Sequence, residues 1–152
     1  MTLILRAATV ADAPFVQRIV FDSLRSFGIE PEPEGLDADV VAFGTKEAGH
    51  VAELVALIDD AIVGCVALSD RGNRVAYLSK LFVDEHARGR GIGRALLLAA
   101  HDEATRLGFV EIRLQTRSIF TAACALYEAN GWTRGEDPSP IRGPDRTYVR
   151  RL

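Results

Sequence analysis

The stretch "HARGRGIGRALLL", His86–Leu98, sets Gly89, Gly91 and Gly93 among arginines and an isoleucine, and an apolar run follows at once. The segment before it, "RVAYLSKLFVD" (Arg74–Asp84), reads as a long strand. From Gly91 the pattern turns helical, with Leu97, Ala100, Ala104 and Leu107 at i, i+3, i+7 and i+10, until Gly108 stops it. A strand, then glycines, then a helix N-terminus is a physical recipe for holding an anion. The first helical turn has free N–H groups pointing outward, and the helix dipole favours negative charge there. Glycines let the backbone come close to a phosphate and take positive φ. Arg88, Arg90 and Arg94 add charge that pairs with phosphate oxygens. The segment therefore suits a pyrophosphate.

The spacing narrows which one. The P-loop pattern GxxxxGKS/T is absent, and Gly89–Gly93 spells GxGxG rather than the dinucleotide-binding GxGxxG. No acidic residue follows at the right strand end to hold a ribose. The segment also comes after the third or fourth strand, not the first. A nucleotide-phosphate binder is the weaker alternative.

Outward from this turn the chain is read as alternating short elements. "LILRAA", residues 3–8, is a first strand; Thr9 or Asp12 caps a helix to about Phe27, with Pro14 in its first turn. Pro31 and Pro33 forbid helix in "GIEPEPEGLDADV", whose five carboxylates (Glu30, Glu32, Glu34, Asp37, Asp39) have no positive charge among them. A second helix is expected over Asp37–Glu47. "AELVALID" and "AIVGCVALS", parted at Asp59-Asp60, read as a hairpin. In "FVEIRLQTR", Val110, Ile112, Leu114 and Thr116 face one way and Glu111, Arg113, Gln115 and Arg117 the other. "FTAACALYEAN" is an alanine-rich helix ended by Gly131, and Gly131–Glu136 and Asp145–Leu152 read as two closing strands. The fold class expected is α/β (α+β) around one mixed sheet.

Composition bounds the rest. The 152 residues favour one domain, 1–152. Hydrophobic residues make up 48% and charged residues 26%, the profile of an ordinary globular protein. A net charge of −3 argues against nucleic acid as a partner. No apolar run approaches the ~20 residues of a membrane span, and Arg6 and Asp12 in the first fifteen residues argue against a signal peptide. Cys65 and Cys124 read as reduced core thiols, consistent with a cytoplasmic location. His50, His86 and His101 have no metal-ligand spacing, so no metal is expected. Trp132 reads as core, and Arg142, Arg146, Arg150 and Arg151 as a solvated face.

Arg88-x-x-Gly91-x-Gly93 matches the signature R/Q-x-x-G-x-G/A. It follows a strand ending "LFVDEHA", and about thirty residues on comes "AxxLYExxGW", Ala123–Trp132. Together these resemble the GNAT superfamily of acyl-CoA-dependent N-acyltransferases. The resemblance implies a single-domain fold with a mixed, mostly antiparallel sheet flanked by helices and splayed between strands 4 and 5. It implies acetyl-CoA as cosubstrate, a small-molecule or peptide amine as acceptor and, in some relatives, a homodimer. Backbone groups of Leu81, Phe82 and Val83 would pair with the pantetheine arm. Arg88, Gly89, Arg90, Gly91, Ile92, Gly93 and Arg94 would hold the pyrophosphate. Thr116 and Ala123 would border the acyl arm, and Tyr127 would be the general acid to the leaving thiolate. Two departures stand out: Phe120 replaces an asparagine seven residues before the tyrosine, and Tyr77 occupies the position of a glutamate base. Glu53, Glu111 and His86 are alternatives for the base by residue type only. The rival reading is a non-catalytic acyl-CoA-binding regulatory module.

Overall fold

The computed structural model describes residues 2–138 and 143–152. Arg142 lies outside them. Among the described residues seven strands form one sheet in the order β1-β2-β3-β4-β5-β7-β6. They are β1 (Leu3–Ala7), β2 (Ala52–Ile58), β3 (Ala61–Asp70), β4 (Val75–Val83), β5 (Glu111–Thr116), β6 (Thr133–Arg134) and β7 (Arg146–Arg151). The helices are α1 (Ala13–Ser26), α2 (Ala38–Val41), α3 (Ile92–Arg106) and α4 (Thr121–Ala129).

Local chemistry sets the early meander. Asp59 and Asp60, at φ 49° and 65°, close the β2–β3 hairpin, and Asn73 and Arg74, at φ 54° and 61°, close β3–β4. Two consecutive left-handed residues match the right-handed twist of the strands they join. Along β3 the run Gly64–Leu68 is buried without interruption. Val66 and Leu68 pack on one face with Leu96, Leu97 and Ala100 of α3, and Cys65 and Ala67 on the other with Val16, Ile19 and Val20 of α1. A strand covered on both faces loses the polar alternation of an exposed one.

All strand pairs are antiparallel except β4–β5. That parallel pair needs a crossover, which α3 supplies. It pairs only at Val75–Tyr77 with Glu111–Arg113, and the strands then part. On the other edge of β4, Cys65 pairs with Phe82 and Ala67 with Ser79, so Lys80 and Leu81 together face Val66. Lys80 sits at φ 55° in this bulge. A bulge bends its strand and re-aims its side chains, which opens β4 away from β5 as expected.

Several expected elements differ. The second helix is one turn, Ala38–Val41. Phe43 is fully buried, and Gly44 at φ 83° lies so close to the Thr9 backbone that a Cβ would stand 2.5 Å from it, so the helix ends before them. Leu107 and Val110 are exposed rather than core, because each lies just outside its element. β6 shortens to Thr133–Arg134, since the chain leaves the sheet edge to bring Asp137 against Arg134 and the Thr147 N–H. The arginines of the last strand are not uniformly solvated. Arg146 donates to the Tyr148 hydroxyl at 3.3 Å, Arg150 lies half-buried against Gly131, and Arg151 alone of these is exposed. Cys65 and Cys124 are buried free thiols, and Trp132 is 4% exposed in the core beside Tyr127.

Candidate functional site

The glycine turn joins the outer end of β4 to the first turn of α3. Gly89 and Gly91 both sit at φ 78°, with open space where a side chain would begin. Their requirement is conformational, and the vacant volume lies in front of the α3 N-terminus. Ile92 is 1% exposed and anchors that first turn in the core. A Cβ on Gly93 would stand 3.4 Å from Leu126, so this glycine lets α4 approach α3 closely. Arg88, though exposed, folds back onto the protein: its Nε donates to the Val83 carbonyl at 3.1 Å and its guanidinium to Ser23 Oγ at 3.2 Å. That side chain braces the end of β4 to α1. Arg90 and Arg94 are exposed and are not among the residues lining the slot.

That slot, about 270 Å³, runs between Leu81, Phe82 and Val83 of β4 and Ala123 and Leu126 of α4, with the glycine turn at one end. A larger cavity of about 620 Å³ occupies the gap where β4 and β5 part. Leu81, Phe82, Phe120 and Ala123 line both, so the two spaces meet there. Phe120 stacks edge-on against Phe27 at 4.8 Å and Phe82 at 6.2 Å. The departure from asparagine thus builds an aromatic wall instead of a polar contact.

Tyr127 lies one helical turn past Ala123 and lines the larger cavity. It is 4% exposed, packed on Trp132 and Tyr148 at 5.7 and 5.4 Å, and burial pushes its phenol above the usual tyrosine value. Thr116, 8% exposed, lines the same cavity, its carbonyl accepting the Asp145 N–H at 3.0 Å.

The base alternatives are not brought together. His86 is 86% exposed on the outer turn. Glu111 begins β5 and pairs with Arg113 at 2.6 Å. Glu53 lies behind the cavity wall, accepting the Gly44 N–H at 3.1 Å and contacting His50 Nδ1 at 2.8 Å. None of the three lines the cavity. Tyr77 does, under the guanidinium of Arg71, whose Cζ is 3.9 Å from the ring centre.

One cluster left no signal along the chain. His50, 3% exposed, lies between Asp39 (Nε2–Oδ2, 3.0 Å) and Glu53. Lys80 Nζ reaches Asp37 at 3.4 Å, Asp39 at 3.3 Å and the Leu36 carbonyl at 3.1 Å. Burial alone would lower the His50 pKa, but hydrogen bonds to both carboxylates outweigh it and raise it to about 9. The acidic segment therefore has counter-charges after all, supplied by β4 and by the loop before β2. Only the bulge turns Lys80 toward it, so spacing along the chain carried no signal.

Residues 17–132 match the sequence model of the Acetyltransferase (GNAT) family, and the chain belongs to that family. It is 32% identical to the N-acetylaspartate synthetase of Danio rerio over 118 residues, which is 76% of this chain and 42% of that protein. The chain spans under half the length of the first curated relatives it matches. The fold is that of a GNAT-family acetyltransferase from Staphylococcus aureus Mu50, with a TM-score of 0.87, 21% identity and 99% of each chain covered. It is also that of the PaiA N-acetyltransferase of Thermoplasma acidophilum, solved in complex with coenzyme A, with a TM-score of 0.78, 20% identity and 100% of each chain covered. Among the described residues no group of three or more His, Cys, Asp or Glu is placed to hold a metal, and no helix is long and apolar enough to cross a membrane.

Proposed function

We propose that this protein is an acyl-CoA-dependent N-acetyltransferase that moves the acetyl group of acetyl-CoA directly to a primary amine. The observation that carries the reading is the junction at Leu81, Phe82, Phe120 and Ala123, where a narrow slot headed by a glycine turn opens into a wider polar cavity. The slot suits a coenzyme arm. The N–H groups of Gly89, Gly91, Ile92 and Gly93 take the pyrophosphate. Arg88 holds the turn in shape, and Arg90 and Arg94 add positive field from outside the slot. Beyond Tyr77 the β4 edge is no longer paired to β5, which leaves backbone groups along Leu81–Val83 for the amides of pantetheine. Thr116 and Ala123 border the acyl end.

In the wider cavity the neutral amine attacks the thioester carbonyl carbon. The C–N bond forms, the carbonyl electrons move to oxygen, and a β4 N–H steadies the oxyanion, a kind of contact worth roughly 10²–10³ in rate. The intermediate collapses, the C–S bond breaks, and Tyr127 gives its phenolic proton to the departing thiolate. Water takes the ammonium proton, since none of Glu53, Glu111 and His86 lines the cavity.

A non-catalytic acyl-CoA-binding module would need the slot alone; the cavity opening onto it favours transfer. The test combines ligand binding with release of free thiol from acetyl-CoA over a panel of amines. Saturating acetyl-CoA should stabilise the fold by about 2–3 kcal/mol, several degrees in Tm for a domain near this size, while ATP and NAD should not. Ala123→Phe, filling the junction, should remove both the shift and turnover. Equal shifts with ATP would overturn the coenzyme assignment, and an acetyl-CoA shift with no amine acetylated would favour the binding module.

A further inference from the structure

The charged groups around the larger cavity fall into two sets. Asp37 and Asp39 are matched by Lys80 and His50. Glu30 pairs with Arg25 at 3.4 Å, and Glu32 is also engaged. Two cations of the lining have no carboxylate partner among the described residues, Arg71 and Arg117. Neither lines the coenzyme slot.

Register places both on one face of the sheet. Ser69 of β3 pairs with Tyr77 of β4, which pairs with Arg113 of β5. Side chains two residues apart on a strand share a face, which adds Arg71 beyond Ser69, and Gln115 and Arg117 beyond Arg113. Arg71 is held by its stack over Tyr77. Arg117 follows the last residue of β5, with its carbonyl bonded to the Phe120 N–H at 3.0 Å. Both line the cavity, Arg71 from just beyond β3 with its guanidinium over Tyr77 and Arg117 from just beyond β5. Guanidinium presents paired N–H donors that match a carboxylate two to two.

We infer that the acceptor is an amine that also carries a carboxylate, of amino-acid size, whose carboxylate is taken by Arg71 and Arg117 while its amine meets the thioester at the junction. The inference rests on the transferase reading and adds the acceptor class to it. A cavity of about 620 Å³ is in the range of small-molecule sites, and its remaining wall of paired charges suits a polar ligand.

The test compares lysine with cadaverine, arginine with agmatine and phenylalanine with phenethylamine, pairs that differ by a carboxylate. Thiol release from acetyl-CoA gives kcat/KM for each, and calorimetry follows the same compounds binding to protein loaded with coenzyme A. The carboxylated member of at least one pair should be preferred by about tenfold to a hundredfold, the range of a charge-assisted hydrogen bond. Arg71→Gln and Arg117→Gln should each raise KM for that amino acid about tenfold and bring the ratio within the pair toward one, with the melting shift from acetyl-CoA intact. Turnover of the decarboxylated amines at equal or greater kcat/KM, or variants that leave the ratio unchanged, would overturn the inference and leave the transferase reading standing. Failure of every amine to release thiol would overturn the transferase reading, and calorimetry showing no carboxylate-dependent binding would then remove the acceptor class as well.

Discussion

At the scale of a single residue, the proposed chemistry rests on Tyr127. Its hydroxyl sits at the end of a ring held by Trp132 and Tyr148, so a phenylalanine keeps the packing and removes only the hydroxyl. On the proposed role, Tyr127→Phe should lower kcat by about 10²–10⁴, while acetyl-CoA affinity and Tm stay near wild type. Thiolate is a fair leaving group, which places the loss toward the lower end. Steady-state kinetics beside a thermal melt separates this from a packing role, in which Tm would fall and kcat would not. Burial pushes this phenol above the ordinary tyrosine range. Activity should therefore rise with pH as the amine loses its proton, without a fall near pH ~10 from this group.

Between residue and molecule, the bulged β4 and the interrupted α2 shape the cavity. Lys80 takes left-handed backbone, a conformation that costs a non-glycine residue about 1–3 kcal/mol, and its ammonium ends among Asp37, Asp39 and the Leu36 carbonyl. Gly44 stops the helix behind the cavity wall, where its N–H donates to Glu53 and its Cα abuts the Thr9 backbone. Gly44→Ala would put a methyl 2.5 Å from backbone atoms that have no rotamer to escape into, at a φ unfavourable to alanine. The variant should lose well over 1 kcal/mol. Denaturant unfolding measures this, and a loss under about 0.5 kcal/mol, the scatter of surface substitutions, would mean the contact relaxes freely.

Over the whole molecule, the Lys80–Asp39–His50–Glu53 chain ties β4, α2, the loop before β2 and β2 itself. His50 is raised from 6.5 in the ordinary state to about 9 in the fold, so the folded state holds its proton more tightly than the unfolded chain. Its stabilisation is complete below about pH 6.5 and is lost as pH rises through about 9. Thermal melts across that window should show Tm falling on the alkaline side, and His50→Gln should flatten the fall while lowering Tm at neutral pH. A wild-type Tm as high above pH 9 as at neutrality would show that the imidazole does not hold its charge.

The sequence by itself determined the elements with a strong local signal and the motif at their junction. Asp59-Asp60 dictated a tight hairpin, the alternation of Ile112, Leu114 and Thr116 an inward strand face, and the glycines before Ile92 a helix N-terminus free to meet an anion, because each follows from the torsions and spacing of adjacent residues. Ala123 and Tyr127, four apart on a helix, were placed on one face for the same reason. Only the tertiary structure decided that Arg88 folds back onto Val83 and Ser23, that α2 stops at Gly44 against Thr9, and that Lys80 and His50 pair with Asp37 and Asp39. It also decided that Arg71 and Arg117 line the cavity with no carboxylate partner among the described residues. These are meetings between segments far apart in the chain, set by the sheet register and by one bulge, and neither leaves a period or a spacing to read.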